Sequence, residues 1–224
     1  MRGTSVRKVE GLSQAEKVAA LRSRMAELGG EVPERVLDAT DVLSVGEGLG
    51  RVLPMRGLPR RSVTHMSETP SLVVELLEQA TRQGSYAGVV GWPELSYAGI
   101  NNLHHVVAVP DPGMDPLSVL TVLVEGLDLV VYRGAAAQLS PTRARPLLGK
   151  LRAGHAALLL VGTQVQSPTL TVEAEVTAFR GIGQGSGRIT GMDIAIRAEA
   201  KGYRPGRGTV ALGAAPQRRL KAVP

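Results

Sequence analysis

The sequence contains no cysteine and few aromatic residues. Without cysteine, the chain has neither disulfides nor thiolate metal sites. Aromatic side chains make up only 3% of the residues, which is too few for a base-stacking platform like those of single-strand nucleic-acid binders. Contact with a nucleic-acid backbone stays open, whereas sequence-specific reading of bases is not indicated.

Lysine is absent from residues 18–149, and long apolar runs are absent throughout. No run approaches the roughly 18 residues that a membrane-spanning helix requires. The first residues lead into a polar segment and not into the apolar core of a signal peptide. We therefore expect a cytoplasmic protein with no membrane partner. With 224 residues, 43% of them hydrophobic, the chain is long enough for one sizeable core plus appendages.

An amphipathic helix and a linker are predicted in residues 1–40. The helix begins at Ser13, because Ser13 and Glu16 form a capping box, and it ends at Gly29 and Gly30. Its apolar stripe either packs on the main domain or meets another subunit, which leaves a homo-oligomer open. Residues 31–60 are rich in glycine and proline and predict a linker with a turn into the first strand. The stripe, our candidate helix interface, consists of Val18, Leu21, Met25 and Leu28.

Residues 41–166 have the pattern of an α/β core. Apolar strand-like runs alternate with helical segments, and the runs are nearly continuous stretches of valine, leucine and alanine. Such strands are buried on both faces, so the pattern predicts a mostly parallel sheet flanked by helices. The predicted strands cover residues 62–66, 86–90, 105–109, 127–132 and 156–161, and the predicted helices cover residues 72–82, 116–125 and 141–151.

An antiparallel β extension is predicted for residues 167–212. Polar and apolar residues alternate in 169–179 and 188–197, which indicates a half-exposed hairpin. Its connection, residues 181–187, contains four glycines and predicts a mobile loop. Residues 209–212 fit an edge strand, and residues 213–224 are expected to form a basic flexible tail.

The basic charge is concentrated near the C-terminus. Residues 1–140 carry 13 basic and 16 acidic side chains, whereas residues 141–224 carry 13 basic and 4 acidic ones. This asymmetry favours an acidic partner, either nucleic acid or an acidic protein face, with a solvated surface as the alternative. The residues predicted to contact a partner or DNA flank or follow the hairpin: Arg180, Arg188, Arg197, Lys201, Arg204, Arg207, Arg218, Arg219 and Lys221.

A phosphate-binding loop is missing where an α/β nucleotide-binding protein would carry it. Only Ser67-Glu68-Thr69-Pro70-Ser71 separates the strand at residues 62–66 from the helix at Leu72. The P-loop motif spans about eight residues, because glycines expose backbone N–H groups to the phosphates and a lysine neutralises their charge. Neither glycine nor lysine occurs here, so we expect no bound nucleotide and no other cofactor.

The order of elements resembles the RecA recombinase core. Gly57-Leu-Pro-Arg60 is similar to the turn before the RecA phosphate loop, and residues 109–117 to its Pro-Asp-x-Gly segment. Residues 127–131 are similar to its Walker B strand, and Ile194 to Pro205, with Lys201, to its terminal strand. With the phosphate loop lost, the pattern from Ser13 to Leu212 most resembles the RecA-like accessory proteins of the ImuA family in its actinobacterial form, ImuA-prime.

This resemblance implies a role in the SOS response to DNA damage. Family membership implies error-prone translesion synthesis, next to an ImuB-like Y-family adaptor and, indirectly, an error-prone C-family polymerase. We therefore expect a non-catalytic scaffold. Two alternatives stay open: an ATP-independent DNA-binding or RecA-filament-modulating protein, and a divergent NTPase that borrows its active site from a partner.

The remaining polar residues do not form a catalytic pattern. Tyr132 or Arg133 occupies the position of the Walker B aspartate, while Asp128 lies at the opposite end of that strand and Glu94 is interpreted as structural. Adjacent strand residues point to opposite faces, so His104 and His105 are not expected to share a metal. The other side chains considered are isolated histidines and serines without a nucleophile elbow, namely His65, His155, Ser62, Ser67 and Ser71.

Overall fold

The computed structural model describes residues 41–134, 141–163, 167–183 and 186–213. A short 3₁₀ helix, Leu103–His105, precedes the fifth strand. In chain order the other elements are β1 (Val42–Ser44), α1 (Glu47–Gly50), β2 (Gly57–Pro59), β3 (Val63–Met66), α2 (Pro70–Arg82), β4 (Ala87–Val90), β5 (Val106–Val109), α3 (Pro116–Gly126), β6 (Leu129–Arg133), α4 (Pro141–Ala153), β7 (Ala157–Val161), β8 (Leu170–Gly183), β9 (Ser186–Ala200) and β10 (Gly206–Gly213).

Eight strands form one sheet in the order β10-β9-β8-β3-β7-β6-β4-β5. The six strands from β8 to β5 run parallel, and β9 and β10 are antiparallel additions next to β8. The predicted α/β class, the mostly parallel sheet and the C-terminal antiparallel extension are confirmed. The predicted N-terminal helix, with its stripe from Val18 to Leu28, lies outside the described residues.

Helices cover both faces of the parallel strands, as their apolar runs predict. Val89 and Val131 point to the side of α2, while Val90 and Tyr132 point to the side of α3 and α4. All four side chains are at most 1% exposed, so the sheet is buried on both faces, between α2 on one side and α3 and α4 on the other. No helix within the described part of the chain is long and apolar enough to cross a membrane.

The predicted linker is wrong for residues 41–60. These residues form α1 and the antiparallel pair β1 and β2, in which Leu43 lies opposite Leu58. Glycine and proline here mark tight turns between short elements, and the intervening apolar side chains join the core on the α2 side. The buried residues of this segment are Leu43, Val45, Leu49, Val52, Leu53 and Leu58.

The predicted mobile loop at residues 181–187 is also wrong in part. β8 and β9 continue pairing to Ile182 with Gly187 and Gly183 with Ser186, so only residues 184–185 fall between the strands. Two irregularities, between Val176 and Ala178 and between Arg180 and Ile182, interrupt the ladder. Bulges of this kind let a long hairpin bend while its pairing continues. Gly213 likewise belongs to β10 and not to the tail, whose residues 214–224 are not described.

Helix α2 fixes the position of the loop after β3, so its packing is a direct test of the fold. Leu77 is fully buried between α2 and the sheet, whereas Val74 is only half-buried on the same helix. We predict that Leu77→Ala lowers the free energy of unfolding by about 2–5 kcal/mol, because it leaves a cavity in the core. Urea unfolding checks this value, with Val74→Ala as the control. An equal, small loss for both variants would contradict this packing.

Candidate functional site

The loop after β3 lies at the point where a parallel α/β sheet usually binds ligands. β3 has parallel neighbours on both sides, β7 and β8, and the chain leaves it to build the far side of the sheet through β4. Ligands in such sheets bind outside the carboxyl ends of the strands, next to this reversal of strand order. In this structure the loop is shorter than predicted, because α2 begins at Pro70 and leaves only Ser67, Glu68 and Thr69.

Hydrogen bonds attach this short loop to β8. The Ser67 N–H donates to the Val172 carbonyl at 3.0 Å, and the Ala174 N–H donates to the Ser67 hydroxyl oxygen at 2.8 Å. The hydroxyls of Ser67 and Thr69 both donate to the Ala174 carbonyl, at 3.1 and 3.0 Å. The hydroxyl groups of Ser67 and Thr69 are therefore bonded to the neighbouring strand and not free for a phosphate.

The start of α2 is equally unsuited to a P-loop arrangement. A P-loop presents several backbone N–H groups and a lysine to the phosphates. Here the first helical residue is Pro70, which has no N–H, and the Leu72 N–H donates to the Thr69 carbonyl at 3.0 Å. Thr69 is 4% exposed, and its hydroxyl donates to the Ala174 carbonyl of β8.

Arg133 stands at the carboxyl end of β6, level with Val161 of β7 and Met66 of β3. Its guanidinium forms ion pairs with Glu68 at 3.0 Å and Glu94 at 3.4 Å. The hydrogen bond to Glu68 raises the pKa of Arg133 above its usual value, and the charges of Glu68 and Glu94 act in the same direction against partial burial. An ion-paired cation thus occupies the carboxyl end of β6.

The sequence left Tyr132 and Arg133 as alternatives for the position of the Walker B aspartate, and the two side chains have different surroundings. Tyr132 is 1% exposed in the core, and burial raises the pKa of its phenol. Arg133 instead points to the cleft and lies 5.5 Å from the centre of the Trp92 ring, within cation–π distance. Glu94 contributes an exposed carboxylate to Arg133, and its interpretation as structural stays a prediction.

A cleft of about 300 Å³ remains next to this ion-pair cluster. Glu68 and Arg133 line it together with Val161 and glycines, including Gly91. Gly91 has a φ of +75°, and a Cβ there would lie 2.3 Å from the Arg133 carbonyl oxygen. Glycine is therefore required for the chain to turn beneath Arg133. Because Glu68 pairs with Arg133, the cleft has no unpaired cation among the described residues of its lining to attract an anionic ligand.

Asp128 lies at the other end of β6, as predicted. Its carboxylate accepts from Arg60 Nη1 at 3.0 Å and from the Tyr86 N–H at 3.0 Å, and it lies 3.7 Å from His155 Nε2. These contacts connect the amino ends of β3, β4, β6 and β7. Asp128 is therefore remote from Arg133 and the β3 loop.

The histidine prediction needs one correction. His104 and His105 belong to the 3₁₀ helix and not to β5, and their rings touch with centroids 4.4 Å apart. The expectation that strand geometry separates them is therefore wrong. His65 Nδ1 donates to the Thr163 carbonyl at 2.8 Å. Within the described ranges, no group of three or more histidine, aspartate or glutamate side chains is placed to hold a metal ion.

The structure divides the predicted basic residues into two groups. Arg197 and Arg207 lie directly opposite each other on β9 and β10, and the turn between these strands carries Lys201 and Arg204. Arg188 lies about 30 Å from Arg197, given nine residues along a strand at roughly 3.3 Å each. We call the first group, Arg197, Lys201, Arg204 and Arg207, the basic turn. Arg218, Arg219 and Lys221 lie outside the described residues.

The basic turn has more positive than negative charge. Arg197 pairs with Glu199 at 2.5 Å and lies 4.0 Å from Glu173. Arg207 faces Arg197 across the ladder and has no carboxylate partner among the described residues. Because like charges opposite each other destabilise a sheet, an acidic partner would relieve this arrangement.

Arg180 is engaged within the protein. Its guanidinium pairs with Asp193 and donates from Nη2 to the Leu212 carbonyl at 2.7 Å, so one side chain from β8 connects to both β9 and β10. Its side chain is 14% exposed. We call these contacts of Arg180 the Arg180 brace. Sequence reasoning did not find the Arg180 brace or the Glu68–Arg133 pair, because partners in different strands and loops leave no local spacing signal.

Comparison with known proteins gives two matches. The family model of the MT3502 N-terminal domain matches residues 51–167, which run from the end of α1 to the segment before β8. The chain is also similar to the uncharacterized protein Rv3395c of Mycobacterium tuberculosis (strain ATCC 25618 / H37Rv). The two are 29% identical over 198 residues, which cover 84% of this chain and 93% of the relative.

The Arg180 brace predicts a stability difference between two arginines of the same hairpin. Arg180→Ala leaves the Asp193 carboxylate and the Leu212 carbonyl without this donor, so we expect a loss of about 1–3 kcal/mol in unfolding free energy. Arg188→Ala, at an exposed position of β9, is the matched control and should stay within about 0.5 kcal/mol of the parent. Chemical denaturation measures both, and equal stability of the two variants would refute the brace.

Proposed function

This chain belongs to the family of the MT3502 N-terminal domain, and we propose that it is a non-catalytic, RecA-like accessory protein of error-prone translesion synthesis, of the ImuA type. In this proposal it acts in the cytoplasm after DNA damage and contacts an ImuB-like Y-family adaptor. Through that adaptor it joins an error-prone C-family polymerase. Similarity to a Mycobacterium tuberculosis protein agrees with the actinobacterial form of the ImuA family.

The observation that carries the proposal is the geometry after β3. Three residues stand in place of a phosphate loop, and the hydroxyls of two of them, Ser67 and Thr69, are bonded to Ala174 of β8. Arg133 stands where a magnesium ligand would be needed, and Glu68 adds negative charge at the rim. An ATPase needs both a phosphate cradle and a metal ligand, so a sheet of this kind is better suited to hold protein surfaces than to turn over nucleotide.

The basic turn is the surface that we assign to an acidic partner. Arginine suits this role because its planar guanidinium donates two parallel hydrogen bonds to a carboxylate or phosphate. Arg204 and Arg207 are exposed, and Arg207 lacks a carboxylate among the described residues. The same observation favours the second candidate function, ATP-independent binding to the DNA backbone or to a RecA filament.

Binding experiments with the full chain distinguish the candidate functions. Direct binding to a purified ImuB-type adaptor in the absence of DNA supports the accessory role. Retention on single-stranded DNA without any partner, together with no binding to the adaptor, favours the DNA-binding alternative. Nucleotide hydrolysis that appears only in the complex favours the divergent NTPase and contradicts the proposal.

A charge-reversal pair tests the basic turn in the same assay. We predict that Arg204→Glu combined with Arg207→Glu weakens adaptor binding at least about tenfold and flattens its dependence on salt, since fewer ion pairs form in the complex. The matched control is Arg143→Glu with Arg145→Glu, two exposed arginines on α4 outside the basic turn. Affinity that both double variants leave unchanged at every salt concentration would remove this surface from the proposal.

A further inference from the structure

Exposed apolar side chains are concentrated around β5, at the edge of the sheet opposite β10. Eight large hydrophobic residues are exposed in the described part of the chain, and five of them surround this strand. Exposed apolar side chains that gather in one region of a soluble protein indicate an interaction surface. The five residues are Tyr86, Leu103, Val107, Met114 and Val122, with exposures of 49%, 50%, 43%, 98% and 70%. We call them the β5 band.

The main-chain groups of β5 are arranged around Ala108. The Gly91 N–H donates to the Val109 carbonyl at 2.9 Å, so Val109 and Val107 direct their main-chain groups toward β4. Ala108 therefore directs its N–H and carbonyl away from the sheet. The Val106 N–H is already bonded to the Leu103 carbonyl, and Pro110 has no N–H. Of these residues, Ala108 is the one that offers both a free donor and a free acceptor at this edge.

Helix α3 extends the β5 band on one face of the sheet. Glu125 on one flank of α3 pairs with Lys150 of α4 at 2.6 Å. Val119 and Leu123 lie on the other flank, and the Leu123 side chain sits above Gly88 of β4, next to β5. Val122 points outward and is 70% exposed. The flank of α3 away from α4 is thus apolar and continuous with Val107.

The charges at this edge are complementary end to end. Residues 83–132 contain neither lysine nor arginine, so the edge lacks the cationic side chains that usually guard a free strand. Histidines 104 and 105 lie at the amino end of β5, and Asp111 and Asp115 follow its carboxyl end. An antiparallel copy of the same strand would bring imidazole donors opposite carboxylates at both ends.

We propose that β5 pairs antiparallel with β5 of a second copy of this chain, across a two-fold axis centred on Ala108. The two Ala108 residues exchange N–H to carbonyl hydrogen bonds, Val107 lies opposite Val109 of the second copy, and His105 lies opposite its Asp111. The axis is perpendicular to the sheet, so both α3 helices stay on one face with their Val119 and Leu123 flanks turned toward each other.

The charge pattern favours a second copy over a strand from another protein, because the two-fold operation brings His105 opposite Asp111 at both ends of the pair. The pairing is short: Val106 lies opposite Pro110 and neither has an N–H to give, so the hydrogen bonds between the two Ala108 residues are its main-chain bonds. In the two-fold pairing the free N–H of each Ala108 meets the free carbonyl of the other. The same operation covers both the apolar strand edge and the apolar flank of α3.

Sedimentation of the purified full chain tests this interface without DNA or adaptor, so its outcome is independent of the proposed function. We expect a monomer–dimer equilibrium that shifts with protein concentration. Val107→Lys should raise the dissociation constant at least about tenfold, because it places a cation at the centre of an apolar contact. Ile189→Lys, an equivalent change at a position 51% exposed on β9, should leave it unchanged. If Val107→Lys fails to fold, Val119→Lys, on the flank of α3 that faces the second copy, takes its place.

A single cysteine tests the register. Because the chain has no cysteine, Ala108→Cys introduces a unique thiol, and a hydrogen-bonded antiparallel pair places the Cα atoms about 5.5 Å apart, within disulfide range. Mild oxidation should give a covalent dimer of Ala108→Cys and none of the control Ile189→Cys. A monomer at every concentration, a dimer whose dissociation constant is unchanged by the lysine at residue 107 or its substitute at residue 119, or the absence of this cross-link would overturn the proposal.

Discussion

The hydrogen bonds from Ser67 and Thr69 to Ala174 connect the β3 loop to β8, and the rest of the molecule depends on this connection. They hold the end of β3 against the first strand of the C-terminal extension. The same contact joins the extension to the parallel sheet, and a loop of three residues bonded in this way does not form a P-loop cradle. These hydrogen bonds stabilise the loop with the hydroxyl groups that a phosphate-binding loop would keep free for its ligand.

Two other features follow from this constraint. With no phosphate to neutralise, Glu68 is accommodated in the loop by pairing with Arg133, and Arg133 in turn is tolerated at the end of β6. The proposed function assigns the functional contacts to surfaces away from the carboxyl ends of the strands. The basic turn lies at the amino end of β8, and the β5 band lies at the far edge of the sheet, so two different partners can bind without competing for space.

Local sequence patterns predicted the fold better than they predicted the sites. Apolar runs such as Leu129–Arg133 and Ala157–Val161 indicate buried parallel strands, since the pattern follows from burial alone. The linker predicted at residues 41–60 and the mobile loop predicted at residues 181–187 were wrong, wholly or in part. Glycine and proline indicate turns, but they do not show whether the neighbouring residues are buried or paired. The Glu68–Arg133 pair and the Arg180 brace required the tertiary structure, since ion pairs between distant segments have no sequence period.

Isothermal titration of the purified full chain with ATP and magnesium tests the central claim most directly. The closed β3 loop and the Glu68–Arg133 pair predict no magnesium-dependent binding at concentrations up to about 1 mM, the range in which enzymes typically bind their substrates. Tight binding of ATP that requires magnesium would contradict the account, because it would demand a phosphate cradle that these contacts exclude.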